Sequence, residues 1–194
     1  MNSQSEEFNV SDLTIHAVSV SGGAAGTAGV GVALAVVHLG SSVSARLLGS
    51  VEEANALAIR AVNDYQHIVA ATLGLGGGMA GVSASVAVTV FDGNTRASVE
   101  GAGSLRDVAD IRVETQVNNT AASAAAGIAA GMGAVNAGAA VAINKSLVET
   151  FIAQGVSIGG GVRTPDITLN ALVNSDAKAF ILGVAGGAVA VGAA

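Results

Sequence analysis

One phrase returns along this chain at a nearly constant distance. Gly74-Leu-Gly-Gly-Gly-Met79-Ala-Gly-Val82 matches Gly127-Ile-Ala-Ala-Gly-Met132-Gly-Ala-Val135 at an offset of 53 residues. Gly22 to Val30 fits the same frame 52 residues before Gly74, and Gly183-Val-Ala-Gly-Gly187 continues it 56 residues after Gly127. A second phrase, Asp110-Ile-Arg-Val-Glu-Thr-Gln-Val-Asn118, returns as Asp166-Ile-Thr-Leu-Asn-Ala-Leu-Val-Asn174, with Leu57 to Asn63 as a looser copy. A third links Ser44-Ala-Arg-Leu47, Ala97-Ser-Val99 and Thr150-Phe-Ile152. A repeat unit too small to bury its own apolar face buries it by stacking on its neighbour. The extra residues of the longest spacing fall in Gly159 to Pro165.

Charge keeps the same rhythm. No Asp, Glu, Lys or Arg lies strictly between Leu13 and Ala45, Tyr65 and Phe91, Thr115 and Asn144, or Ala179 and Ala194. Two readings compete for these windows. Ala is the best helix former, and Thr120 to Ile143 is long enough for a helix to cross a bilayer. The pairs Gly22/Gly26, Gly74/Gly78, Gly127/Gly131 and Gly183/Gly187 have the small-xxx-small spacing of helix contacts. Against this, Val82-Ser-Ala-Ser-Val86-Ala-Val88-Thr-Val90 and Val30-Gly-Val32-Ala-Leu34-Ala-Val36 place their larger residues at every second position, the period of a strand. Glycines would cost a helix about 1 kcal/mol each. The spacing i, i+4 also puts two glycines on one strand face, where small residues let sheets approach. Asp92-Gly93-Asn94 predicts a tight turn between Val90 and Ala97. Strands are preferred, with Val and Leu on one face and Ala, Gly and Ser on the other, buried on both sides as in a parallel sheet. The expected fold is all-β, a parallel β-solenoid of the β-helix kind. It would hold about 3.5 repeats of 53–56 residues, over 12–64, 65–118, 119–174 and a partial 175–194.

Composition removes whole classes of function. Ala, Val and Gly number 40, 28 and 27 of 194 residues, with no Cys and no Trp. Without Cys there is no disulfide framework and no thiolate zinc site. Eight basic against fourteen acidic residues give a net charge of −6, which does not make a nucleic-acid face. The amino terminus, Met1 to Glu7, is polar and acidic and lacks the pattern of a secretion signal. The carboxyl end stops in an apolar run, so both ends read as cut from a longer chain.

Residues 17 to 49 carry a resemblance. Ala17-Val-Ser-Val-Ser-Gly-Gly23, then Gly29-Val-Gly-Val-Ala-Leu-Ala-Val-Val37, then Ala45-Arg-Leu-Leu-Gly49 resemble repeats of very large bacterial surface proteins. These are the filamentous haemagglutinin-like adhesins and the leukotoxin-type filamentous adhesins. Thr95-Arg-Ala-Ser-Val-Glu-Gly101 and Asp110 to Thr115 match two further strand types of that family. The resemblance runs from about residue 8 onward. It implies an exported, elongated fibre at the cell surface or secreted, acting as rigid stalk and adhesive segment. Its partners would be itself, neighbouring repeats, or a host or neighbouring cell; no nucleic acid is expected. No catalytic, cofactor-binding or metal-binding residue comes with it, and none is expected.

Each chemical signal has a plainer explanation. Gly76-Gly-Gly78-Met-Ala-Gly81 fits a dinucleotide fingerprint, but a strand pattern follows where a phosphate site needs a helix. His16, His38 and His67 have neither metal-ligand spacing nor the repeat period. Asp107 with Asp110, and Glu52 with Glu53, are the carboxylates to weigh for polysaccharide cleavage. Asp110 recurs as Asp166, which points to a strand start instead. Calcium-binding nonapeptides lack their Asp in register. Asn9, Asn118 and Asn144 open formal glycosylation sequons. Phe8, Phe91, Phe151 and Phe180 are expected to fill gaps where turns meet the core. The alternatives kept are a membrane-inserted Ala/Gly-rich helical assembly and a solenoid polysaccharide-cleaving enzyme.

Overall fold

The computed structural model describes residues 14–194. The start of the first expected repeat, together with Phe8 and the Asn9 sequon, lies outside them. The described chain is all-β. Its strands are β1 (Thr14–Ala24), β2 (Ala28–Leu47), β3 (Val51–Glu52), β4 (Ala56–Gly77), β5 (Ala80–Val99), β6 (Ser104–Arg106), β7 (Asp110–Ala130), β8 (Gly133–Ile152), β9 (Ser157–Ile158), β10 (Asp166–Gly186) and β11 (Val189–Ala193). They form three parallel sheets: sheet I is β1-β4-β7-β10, sheet II is β11-β8-β5-β2, and sheet III is β3-β6-β9. The chain visits sheet I, turns sharply into sheet II, passes through the short sheet III and returns to sheet I. The helical reading of the uncharged windows is thereby corrected. Thr120 to Ile143 is the second half of β7, a turn and the first half of β8. No helix among the described residues is long and apolar enough to cross a membrane.

The recurring phrases lie on one another. Leu57, Ile111 and Ile167 pair across β4, β7 and β10, and Leu47, Val99 and Ile152 across β2, β5 and β8. Asp110 and Asp166 begin their strands as paired residues. Gly22 is the exception. Ser21, not Gly22, pairs with Gly74, and Gly22 lies beside Leu75. The cause is one extra residue in the first turn. Ala25-Gly26-Thr27 stands where Gly78-Met79 stands one circuit later, so the offset is 53 before the turn and 52 after it.

The faces of the strands are the main departure from expectation. Along β5 the inward residues are Gly81, Ser83, Ser85, Ala87, Thr89, Phe91, Gly93, Thr95 and Ala97. The valines at 82, 86, 88 and 90 point outward. The same holds in β2, where Val32 and Leu34 are 62% and 60% exposed while Ala33 and Ala35 are buried. The expected sheet without a solvated face is corrected: the small residues make the interior and the large ones face out. The two long sheets come too close together for anything else. A Cβ on Gly31 would strike the backbone of Leu75, and one on Gly76 that of Val82. At the turn, Gly78 has φ +141, and a Cβ there would meet the Ala25 carbonyl. Gly131 meets the Gly78 carbonyl in the same way.

Away from the turn the inward residues grow. Ile68 and Phe91 pack with Ala35, Val37 and Ala87. Beyond them Ile59, Val99, Leu105, Val108, Ile111 and Val113 fill the space that sheet III closes. The turn predicted at Asp92-Gly93-Asn94 is corrected here. These residues run straight through β5. Gly93 is needed because the Phe91 ring occupies the volume its Cβ would take. The expectation that the phenylalanines fill gaps where turns meet the core is corrected: Phe91 does fill the core, at 0% exposure, but mid-strand and away from a turn. Phe180 is exposed on β10, and Phe151 lies under the Arg96 guanidinium, 4.5 Å from its ring centroid.

Buried polar residues join sheet to sheet. Thr89 donates to the Ala122 carbonyl at 2.7 Å, Ser123 to the Val141 carbonyl at 2.6 Å, and Asn136 to the Gly127 carbonyl at 3.0 Å. Such bonds cost little space and satisfy groups that burial would otherwise penalise.

Two neighbouring glycines test the close approach. Gly76→Ala is expected to destabilise the fold by about 1–3 kcal/mol or more, through overpacking. Gly77→Ala, whose Cβ meets nothing within 4 Å, should change stability by less than about 0.5 kcal/mol. Chemical denaturation followed by circular dichroism reads both. Two serines test the cross-links. Ser123→Ala should cost about 1–3 kcal/mol, because it leaves buried partners unpaired. Ser85→Ala should be neutral or stabilising, since the buried Ser85 hydroxyl has no partner.

Candidate functional surfaces

The fingerprint glycines lie at the sharp turn. Gly76 and Gly77 end β4, Gly78 and Met79 turn, and Gly81 enters β5. Their smallness serves sheet contact, and a strand follows instead of the helix whose amino terminus would hold a phosphate. His16, His38 and His67 point outward on β1, β2 and β4 and are all exposed. Among the described residues no group of three or more His, Asp or Glu is placed to hold a metal ion.

The carboxylate candidates are engaged by their own surroundings. Glu53 and Asp107 occupy equivalent turns after sheet III strands, with φ 55 and 56. The Asp107 Oδ1 accepts backbone N–H bonds from Val162 and Arg163, both at 3.0 Å, and holds the loop before β10 in place. Arg163 donates to Asn55 at 3.0 Å. These residues line a notch of about 460 Å³. Asp110 lies at a strand start on sheet I, 3.8 Å from Arg112. Glu52 belongs to β3. The structure therefore does not bring Asp107 and Asp110 together as a free pair in a cleft. A larger opening, about 660 Å³, lies between Gly40–Ala45 and Arg60–Tyr65 at the end of the stack where the described chain begins. Asn118 donates to Asp64 at 3.1 Å and accepts from Asn174 at 3.0 Å in a ladder. Asn144 donates to Asn119 at 2.6 Å. Both sequon asparagines that lie in the described chain are thus occupied.

What the fold does build is a pair of outer faces, each in two zones. In the half next to the sharp turn, sheet II presents straight columns: Val30-Val82-Val135-Val191, Leu34-Val86-Ala139, Val36-Val88-Val141 and His38-Val90-Ile143. In the other half the columns are polar, Gly40-Asp92-Lys145 and Ser44-Arg96-Glu149. Sheet I divides likewise. Val20, Leu73, Ala126 and Leu182 lie near the turn, and Arg60, Glu114 and Asn170 lie far from it. Pairing of β4 with β7 slips by one residue between Tyr65 and Ile68, and on either side of the slip the columns run unbroken. The alternation of Val with small residues pointed to these columns. Its outward direction was the part the sequence reading missed.

One electrostatic knot marks the polar zone. Glu100 accepts hydrogen bonds from Arg46 and, at 2.6 Å, from Ser98, and Arg96 approaches at 2.7 Å. The Arg46 and Ser98 bonds, with the charges of Arg46 and Arg96, bring its carboxyl down from 4.5 to about 2. Because Arg46 sits one circuit before Glu100, the knot ties successive circuits together.

No family model, no curated protein and no solved structure matches the chain.

The pH dependence of the knot follows from its direction. A lowered carboxyl pKa stabilises the fold above about pH 4.5, and this contribution is lost as pH falls toward 2. Glu100→Gln is expected to lower the thermal midpoint at pH 7, with the gap to the parent protein closing near pH 2. Thermal melts across that range check it.

Proposed function

We propose that this chain is a segment of a parallel β-solenoid and serves as the structural and adhesive shaft of a bacterial cell-surface or secreted fibre. One observation carries the reading: each strand pairs with the strand one full circuit later, in parallel, in all three sheets. A coil with that register grows along one axis by about 4.8 Å per circuit. Among the described residues, sheets I and II each end on strands with one open side, β1 and β10 in one and β2 and β11 in the other. Such edges accept further strands of matching register. The resemblance of residues 17 to 49 to filamentous adhesin repeats supports the same reading. Rigidity would come from continuous backbone ladders, from the interlocked turn glycines and from the Ser, Thr and Asn bonds between sheets. The fibre would associate with itself, or with a host or neighbouring cell, through its outer faces.

The test is to lengthen the chain. Inserting extra copies of residues 110–165 should extend the particle by about 4.8 Å per copy at constant width, as read by small-angle scattering or electron microscopy. Growth by separate globular beads, tens of ångströms per copy, would overturn it.

A further inference from the structure

We propose that the outer face of sheet II is the interface of a symmetric dimer of this chain, with the two-fold axis parallel to the strands and passing between β5 and β8. This deepens the self-association in the fibre reading and rests on it. The surface is large for something left in water. Five outward residues along each of β2, β5 and β8 form a zone, apolar except for His38 at its edge, of roughly 400–500 Å², comparable to the largest patch on an ordinary monomer. The whole face of these strands, about 65 Å by 14 Å, offers roughly 900 Å², close to one side of a standard interface.

The occupant follows from the pattern of the face. Its columns repeat at the strand spacing, and only a sheet with the same spacing meets every column in step. A second copy turned about an axis along the strands keeps apolar half over apolar half. The position of the axis is then fixed by charge. Through β5, Asp92 would meet Asp92 and Arg96 would meet Arg96. Through β8, Lys145 would meet Lys145 and Glu149 would meet Glu149. Between the two, Asp92 of each copy meets Lys145 of the other, and Arg96 meets Glu149. The same placement sets Val86 over Ala139, large over small, and Val88 over Val141. The two packed faces would lie about 10 Å apart in the aligned class of sheet packing. Sheet I offers less: near the turn the outward residues of its inner strand β7 are mainly alanines, Ala122, Ala124 and Ala126, where β5 of sheet II carries Val82, Val86, Val88 and Val90.

Sedimentation of the full chain is the measurement, with circular dichroism as the check on folding. The parent protein should sediment as a dimer at micromolar concentration. Val86→Arg, an outward substitution, should weaken association by about 100-fold or more, by burying an unpaired charge. Leu73→Arg on the outer face of sheet I should leave the dimer intact. Asp92→Lys and Lys145→Asp should each weaken self-association, and mixing the two variants should restore a heterodimer. A parent protein that stays monomeric with its strand spectrum intact overturns the dimer and leaves the fibre reading standing. Oligomers that survive Val86→Arg, or that Leu73→Arg disrupts equally, place the contact elsewhere and also overturn it. If Val86→Arg does not fold, failure of the mixed charge variants to pair overturns the proposal by itself.

Discussion

Two long parallel sheets lie so close together that, next to the turn, nearly every residue between them is Gly, Ala, Ser, Thr or Asn, and where Ile181 enters it does so opposite Gly138. The rest of the structure follows from that spacing. Sheets packed through ordinary side chains stand about 10 Å apart. Here a methyl group on Gly31 or Gly76 would run into the backbone of the opposite sheet. Apolar residues of normal size have two places left. They can point outward, as Val82, Val86 and Val88 do, or collect where sheet III opens the space, as Leu105, Val108 and Ile111 do. The turn obeys the same restriction. Gly78 and Gly131 stack so that each leaves room for a carbonyl of the circuit before it.

A thin interior also changes what polarity means. In a thick core a buried hydroxyl is a liability unless a partner is brought to it. Here the opposite backbone is within reach of a one- or two-carbon side chain. Thr89 accepts the Ala70 N–H and donates to Ala122, while Ser123 and Asn136 reach carbonyls across the gap. The small residues that permit the approach include those that fasten it. Charge, by contrast, has no place between the sheets. Among the described residues it lies on the outer faces and loops, mostly of the far half, where Arg46, Arg96 and Glu100 bind one circuit to the next.

Much of this was legible in the sequence. Alternation at period two separated strand from helix despite the abundance of Ala, and the recurring Asp110 and Asp166 phrases gave the pairing of β7 with β10. The direction of the faces was not legible. Alternation shows that two faces exist, and the usual rule places the larger apolar one inside. The glycines carried the missing information, because their spacing is useful only if the face they share is the crowded one. Asp92-Gly93-Asn94 misled for a related reason. Its glycine makes room for the Phe91 ring, which no local turn rule detects. The slip between Tyr65 and Ile68 and the extra residue in the Ala25–Thr27 turn shift registers by one, below the resolution of a repeat offset. The carboxylates could be named but not assigned: Asp107 is defined by a loop 55 residues away in sequence.

An outward apolar face has two outlets, and both arise from repetition. The first is growth along the axis. Val36 on the edge strand β2 is 57% exposed, Val88 beside it on β5 is half-buried, and Val141 on β8 is 43% exposed. A neighbour in register at about 4.8 Å covers the flank of each side chain. Stacking therefore hides the sides of every outward valine but leaves its tip in water. The second outlet is a surface that covers the tips, and it must be as regular as the columns it covers. The spacing that forces valine outward also sets those columns straight. The dimer proposed above would use both properties of this face, its exposed valine tips and its straight columns.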